Sequence, residues 1–306
     1  MEAHKASATA RNIAYMRAYH YMYDDAPKIF EDPLAQRLLT AEEWETTARR
    51  HATSLDRLYP DRAQACRNEK EKARCYLHLS CAPPQALSRA RYAEDKLLDA
   101  IHRGVTQYVL VGAGLDSFAW RRPDLQTAVQ VFEVDHPASQ AFKRHRLTDI
   151  GLPLPPHLHL VAADLEQENL AQVLRHSAYD PQIPAFFSWL GVTMYLELTA
   201  FETTLQAIRS VAAAGSELVF DYYDLEAFDP EKVSARMRMV FENVLRQGEP
   251  NLMGLDPQTL HTVLAGVGFH LHEHLHPSDI QGRYLQGRTD EYTANEHAHF
   301  AWAVVE

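Results

Sequence analysis

Glycine is missing from the first hundred residues of this 306-residue chain, and only 12 glycines occur in all. A long segment without glycine, with apolar recurrence at Ile13, Met16 and Tyr19, excludes a hairpin-rich start and reads as a succession of helices. Cysteine is scarce as well. The three thiols, Cys66, Cys75 and Cys81, are odd in number and spaced nine and six apart, which excludes a disulfide framework and matches no common zinc or redox pattern. No apolar run approaches the roughly 18–20 residues of a membrane span, and MEAHKASATARNIAYM is charged where a secretory leader is apolar, so the expected compartment is cytoplasmic. Basic residues are in deficit, 30 against 41 acidic for a net charge of −11, which argues against a nucleic-acid or anionic-membrane partner. Any anionic ligand must then be held by local arginines or helix ends. No repeat or low-complexity segment is visible.

What is present begins at Gln107, where short β-branched or apolar runs alternate with helical stretches: QYVLV, VQVFEV, HLHLVA, PAFFSWL, ELVFDYY, FHLHEHL and HFAWAVV. Seven such runs predict a doubly wound α/β fold with a mainly parallel seven-stranded sheet. Residues 1–90 are expected to form a helical cap or lid over an α/β domain at 91–306, with a helical lid insertion at about 226–255.

The first run leads directly into Val111-Gly112-Ala113-Gly114-Leu115-Asp116-Ser117, a turn at the strand end where ligands bind in open α/β sheets. The second run ends in Glu133 and Asp135 about 20 residues on, where a carboxylate can accept hydrogen bonds from both hydroxyls of a ribose. Together they point to a nucleoside cofactor. Ser117 stands where dinucleotide-binding turns carry a third small residue, which weakens an NAD(P)-dependent oxidoreductase reading. The third run delivers Asp164 and Leu165, a carboxylate beside a free N–H that can pair with an adenine edge; a helix N-cap at Asp164 explains the pattern equally well.

SRARYAED, QYVLVGAGLDSFAWR, VFEVDHP, AADL and FFSWLGVTMYL, in this order, resemble the leucine carboxyl methyltransferase family of class I S-adenosylmethionine-dependent enzymes, in its bacterial small-molecule branch. The N-terminal ATARNIAYMRAYHY…IFEDPLA segment resembles the helical cap of that branch. The resemblance implies a Rossmann-like methyltransferase with S-adenosyl-L-methionine as cofactor. It implies that Arg89, or Arg91 if the register differs by two, holds the methionine carboxylate together with Arg11. Gly112 and Gly114 would line the methionine and ribose side, Asp135 the ribose, and Asp164 with Leu165 the adenine. Arginine suits a carboxylate because its planar fork makes two parallel charge-assisted hydrogen bonds. Leu190-Gly191 departs from the Glu-Gly pair of the relatives that methylate a protein C-terminus, which favours a small-molecule acceptor over a protein carboxyl.

Methyl transfer from a sulfonium needs the acceptor oxygen held in line and water excluded. An ionised carboxylate needs no general base, whereas a phenol benefits from one; the residues leave carboxylate and hydroxyl both open. Candidate acceptor contacts are Arg17, Tyr19 and Tyr21 in the cap, Tyr195 after the fourth strand and Tyr222 after the fifth, with Asp221 or Asp224 as a base or a cap. A binding subunit that keeps the pocket without turnover is the non-enzymatic alternative. His270, His272, His274 and His276 alternate and would share one strand face. They read as a solvated face, and no metal is expected.

Overall fold

The alternation that starts at Gln107 folds into one sheet in the computed structural model, which describes residues 8–165 and 167–306. The strands are β1 (Gln107–Val111), β2 (Gln130–Asp135), β3 (Leu158–Ala162), β4 (Ala185–Trp189), β5 (Glu217–Tyr223), β6 (Phe269–Leu275) and β7 (Ala298–Val305). Their order is β3-β2-β1-β4-β5-β7-β6, with β1 to β5 parallel and β7 antiparallel to both of its neighbours. The doubly wound, mainly parallel sheet expected from the sequence is therefore present. Strand order reverses between β1 and β4, which places a crevice at their carboxyl ends.

Twelve α-helices lie among the described residues. Those preceding the sheet are α1 (Ala8–Tyr23), α2 (Ala41–Leu58), α3 (Pro60–Gln64), α4 (Glu69–Leu79) and α5 (Ala82–His102). Then follow α6 (Phe118–Arg121), α7 (Pro137–Asp149), α8 (Leu170–Arg175), α9 (Leu198–Val211), α10 (Ala235–Arg246), α11 (Leu260–Gly266) and α12 (Pro277–Ile280). One sheet face buries Phe187, Phe220 and Ala301 against Leu170 of α8, Phe201 and Ile208 of α9 and Leu264 of α11. The other buries Tyr108, Phe186 and Val219 against Leu87, Ala93 and Leu97 of α5. Covering both faces buries every residue of β1, β4 and β5, so these strands read as mainly apolar runs, interrupted by Gln107, Ser188, Glu217 and Asp221. None of the described helices is long and apolar enough to cross a membrane.

The N-terminal helices pack through a third cluster, in which Ala14 and Tyr15 of α1 meet Leu77, Ala86, Leu115 and Leu147. A capping box starts α2, with Thr40 accepting from the Glu43 N–H and the Glu43 carboxylate accepting from the Thr40 N–H. Glu43 also takes a hydrogen bond from Arg146 of α7 at 3.0 Å, joining cap and sheet. Arg17 serves the same junction: its guanidinium donates to the Leu115 carbonyl at 2.5 Å and lies 3.4 Å from Asp32. Asp32 in turn accepts from Ser117 Oγ at 2.7 Å, so Ser117 ties the glycine turn to the cap.

One expectation fails at the sheet edge. A bulge between Leu271 and Glu273 adds a residue to β6, and the pairing then pairs His270 with Val304 but His274 with Ala301, on opposite faces. The four histidines do not form one solvated row. His270 and His272 remain together with Trp302, while His274 and His276 turn toward Tyr222 and His299.

Candidate active site

The order β3-β2-β1-β4 sets four strand tips side by side: Asp164 and Leu165, then Asp135, then the Gly112–Gly114 turn, then Gly191. At the usual strand spacing this row spans about 14 Å. Gly112 and Gly114 both have positive φ, +78° and +54°. A Cβ at Gly112 would lie 2.4 Å from Val192 Cγ2, so the turn packs directly on the loop after β4. The Gly114 N–H donates to Asp135 Oδ2 at 2.5 Å and the His136 N–H to Oδ1 at 2.6 Å. Burial pushes the Asp135 carboxyl above its usual range, opposed by these two donors. A carboxylate offers about four acceptor positions, so with the Ser139 hydroxyl as a third, weaker donor it keeps capacity for a ribose hydroxyl. Asp164 begins a turn in which its N–H donates to Glu168 at 2.9 Å and its carboxylate accepts from Gln167 at 2.9 Å. Leu165 is half-buried against the sheet core.

Arg89 turns inward from α5, and Arg91 turns outward to pair with Asp95. Arg89 Nη1 donates to Asp221 Oδ2 at 2.8 Å, while Asp221 Oδ1 accepts the Gly191 N–H at 2.6 Å. Gln85 donates to the same carboxylate at 3.3 Å. Burial alone opposes the Arg89 charge, and Asp221 more than reverses this, holding the guanidinium above its usual range. Asp221 is fully buried and engaged on both oxygens, which rules out the general-base role considered from sequence. Asp224 caps the turn after β5 by accepting the Ala227 N–H at 2.9 Å and pairs with His297. Its capping reading holds.

Beside Arg89 opens a cavity floored by Gly191, Tyr195 and Tyr223 and walled by α1, α2, α4, α5 and α10. Asn12 Oδ1 and His51 Nε2 line it, both buried and without a hydrogen-bond partner, and Thr9 stands against the Tyr195 hydroxyl. Arg50 stands at the mouth, and among the described residues no Asp or Glu belongs to the lining. Burial pushes the Tyr195 hydroxyl up to about 12, so at neutral pH it donates and does not act as a base.

Of the acceptor contacts expected from sequence, Tyr195 reaches the cavity and the others do not. Arg17 is spent on the Leu115 carbonyl and Asp32. Tyr19 packs between the tilted rings of Tyr15 and Tyr23, and Tyr21 faces solvent. Tyr222 points to the opposite sheet face, donating to or accepting from His274 at 2.8 Å; its neighbour Tyr223 takes the cavity side. Arg11 is half-buried and lies outside the lining, close enough to Arg50 to oppose that group's charge.

His51 offers a test of the cavity wall. It is 4% exposed, packed between Tyr15 and Tyr76, and burial pulls its pKa from 6.5 down to about 3. The unfolded chain takes up a proton here near pH 6.5 and the folded chain only near pH 3. Stability is therefore fully present above pH 6.5 and declines as pH falls through that window, at up to about 1.4 kcal/mol per pH unit from this group. His51→Phe should flatten the difference between urea unfolding at pH 7 and pH 5 relative to the parent; an identical slope in the variant would show His51 charged or exposed.

Sheet order, glycine turn and acidic strand tip define a Rossmann-like α/β fold of the class I methyltransferase type. Among solved structures, a DUF574 family protein from Streptomyces avermitilis MA-4680 matches with a TM-score of 0.59 at 13% identity, covering 98% of both chains. A protein of Thermobifida fusca YX, provisionally named a methyltransferase, matches with a TM-score of 0.56 at 14% identity, covering 99% of this chain and 96% of the other. At those identities the likeness is one of fold. In sequence, the leucine carboxyl methyltransferase model matches residues 10–209. YktD of Bacillus subtilis (strain 168), provisionally named an S-adenosyl-L-methionine-dependent methyltransferase, is 32% identical over 311 residues, 99% of each chain. A Mycobacterium avium (strain 104) protein with the same provisional activity is 31% identical over 223 residues, 72% of this chain and 67% of the other. The chain belongs to the leucine carboxyl methyltransferase family. It is an S-adenosylmethionine-dependent methyltransferase, as the glycine turn and SRAR segment imply.

Proposed function

We propose that the enzyme methylates an oxygen, of a carboxylate or a hydroxyl, on a small anionic acceptor bound in the cavity beside Arg89. The observation that carries this reading is the lining itself: two buried, unpartnered polar atoms, Asn12 Oδ1 and His51 Nε2, and Arg50 at the mouth, with no acidic side chain among the described residues. Buried polar atoms without partners cost stability in the free protein, and an acceptor that satisfies them recovers that loss.

The strand tips suit the cofactor in order. Asp164 and Leu165 would meet adenine, Asp135 the ribose hydroxyls, the Gly112–Gly114 backbone the chain between them, and Arg89 the methionine carboxylate. Arg11, near Arg50, would add positive charge at that end. When bound, S-adenosylmethionine supplies an electrophilic methyl group. The chain's own residues hold the acceptor oxygen against it and keep water out, which is the larger part of such catalysis. Tyr195, protonated at neutral pH, orients the acceptor by donation. With Asp221 occupied and no acid in the lining among the described residues, none of those side chains is placed as a carboxylate base, which favours an acceptor already ionised. The roof of α1, α2 and α10 suits a small molecule better than a protein terminus.

Transfer of labelled methyl groups to a panel of small carboxylates and phenols tests this. A carboxylate product releases volatile methanol in base, whereas an ether does not. Arg50→Gln should raise the acceptor KM several-fold with little change in kcat, the signature of lost ground-state binding to a solvent-exposed charge. Label transferred only to a protein or peptide carboxyl terminus, or to nitrogen, would overturn the reading.

A further inference from the structure

Behind β5, on the face away from the cavity, three histidines converge. His274 and His276 at the end of β6 and His299 of β7 each bring one ring nitrogen within 4.8 Å of the other two, the cluster of this kind found among the described residues. The bulge in β6 makes this possible by turning the second half of the histidine run to the face of Tyr222 and His299. His299 is 3% exposed, and its Nδ1 is buried with no hydrogen-bond partner. Its Nε2 lies 3.4 Å from Asp224 Oδ2. His274 is half-buried, with Nε2 bonded to the Tyr222 hydroxyl at 2.8 Å, which leaves Nδ1 for another partner. His276 is exposed at the start of α12 and closes the cluster from the solvent side, its ring 4.4 Å from His274 and 5.1 Å from His299.

Each feature has a separate cause, but together they have one chemistry. A buried imidazole nitrogen without a partner is costly. Here two inner rings have their far nitrogens engaged by a carboxylate and a hydroxyl, the outer-shell arrangement that fixes tautomer and ring orientation in metal-bound histidines. We propose that His274, His276 and His299 bind a divalent transition ion of the zinc class, with Asp224 and Tyr222 orienting His299 and His274. Three neutral nitrogens suit zinc, nickel or copper and do not suit magnesium or calcium, which require oxygen ligands. Tetrahedral zinc places its nitrogen ligands roughly 3.3 Å apart. The exposed His276 ring closes that gap with the nitrogen not turned to the Asp279 N–H of the capping box that starts α12; the fourth position faces solvent and takes water. The ion would clamp the bulged edge strand to β7 and, through Tyr222, to β5. It lies on the opposite sheet face from the acceptor cavity, so its role is to hold the sheet edge and not to take part in methyl transfer.

The test is equilibrium dialysis of untagged, chelator-stripped full-length protein against zinc ion alone, with bound metal measured by elemental analysis. Three proteins are compared: the parent, His276→Ala, and a His270→Ala/His272→Ala control that removes the other histidine pair. Calorimetric binding of S-adenosylhomocysteine by all three shows that each is folded. The parent and the control should bind one equivalent at micromolar free ion and gain several degrees in melting temperature. His276→Ala should lose at least tenfold in affinity and the thermal gain. Cobalt substituted for zinc should give the intense visible band of a tetrahedral site in the parent only weakly reproduced in His276→Ala. No bound zinc in the parent, or equal binding by folded His276→Ala, overturns the proposal.

Discussion

Asp221→Ala is expected to cost about 3–5 kcal/mol of unfolding free energy, the range for removing one partner of a buried ion pair. It should also lower affinity for S-adenosylhomocysteine at least tenfold. The carboxylate is fully buried and is the common acceptor for Arg89 Nη1, Gln85 Nε2 and the Gly191 N–H, at 2.8, 3.3 and 2.6 Å. Its removal leaves a guanidinium side chain only 12% exposed without its counter-charge, and a backbone donor at the tip of β4 without an acceptor. Either Arg89 stays, uncompensated, or it swings toward solvent and leaves the strand tips. The first outcome appears as lost stability and the second as lost cofactor affinity. Asp221→Asn retains an acceptor oxygen for Gly191 and should fall between the parent and alanine in both. Urea unfolding and calorimetric titration measure the two effects separately. Full affinity in a folded Asp221→Ala protein would mean that Arg89 is positioned by something other than this carboxylate.

Asp221 also shows where sequence reading stops. The run ELVFDYY announces a strand, and its bounds match β5 residue for residue. With both sheet faces covered, all seven residues are buried, but the period of two sets Asp221 and Tyr223 on one face with Glu217, and Tyr222 on the other with Leu218 and Phe220. The alternation therefore favours Tyr223 over Tyr222 on the face that carries Asp221. In the same strand, Asp221 was legible as an acid at a strand end, but its pairing with Arg89, 132 positions earlier, is a tertiary fact. Helix α1 failed differently. Thr9, Asn12, Ile13 and Met16 follow the i, i+3, i+4, i+7 spacing of a single helix face and line the cavity. Arg17 and Tyr19 continue the same stripe at its edges, so the period does not separate them from the lining; the bonds of Arg17 to Leu115 and Asp32, and the packing of Tyr19 against Tyr15 and Tyr23, are tertiary facts. Arg89 and Arg91 sit two apart on α5, about 200° around the helix, so one faces inward and the other outward. Choosing between them from sequence depended on the family resemblance. The β6 bulge had no such signal, since a regular alternation of histidines is compatible with either face until the partner strand sets the register.

Gly191→Ala should cut kcat/KM at least a hundredfold while costing less stability than loss of Asp221. Gly191 has φ of +69°, where an L side chain adds of order 1 kcal/mol of backbone strain. The larger effect is steric and local. An alanine Cβ would sit 2.3 Å from Arg89 Nη2 and 2.7 Å from Cζ. An arginine tip ordinarily moves aside at small cost, but this one is tied through Nη1 to Asp221, and Asp221 is tied to the Gly191 N–H itself. The guanidinium cannot retreat from the methyl group without breaking the ion pair, and the loop cannot retreat without breaking its own bond to Asp221. The contact therefore displaces the arginine proposed to hold the cofactor, at the tip beside the cavity proposed for the acceptor. A displacement of about 1 Å at such a position can cost on the order of 100-fold in rate. Steady-state kinetics with an acceptor from the labelling screen, paired with S-adenosylhomocysteine titration, read the effect. Weakened cofactor binding accounts for it if Arg89 has moved, whereas unchanged binding with lost turnover would place the damage at the acceptor. Rescue by Arg89→Lys in the Gly191→Ala background, through a slimmer side chain that retains the charge, would show that the clash is the cause.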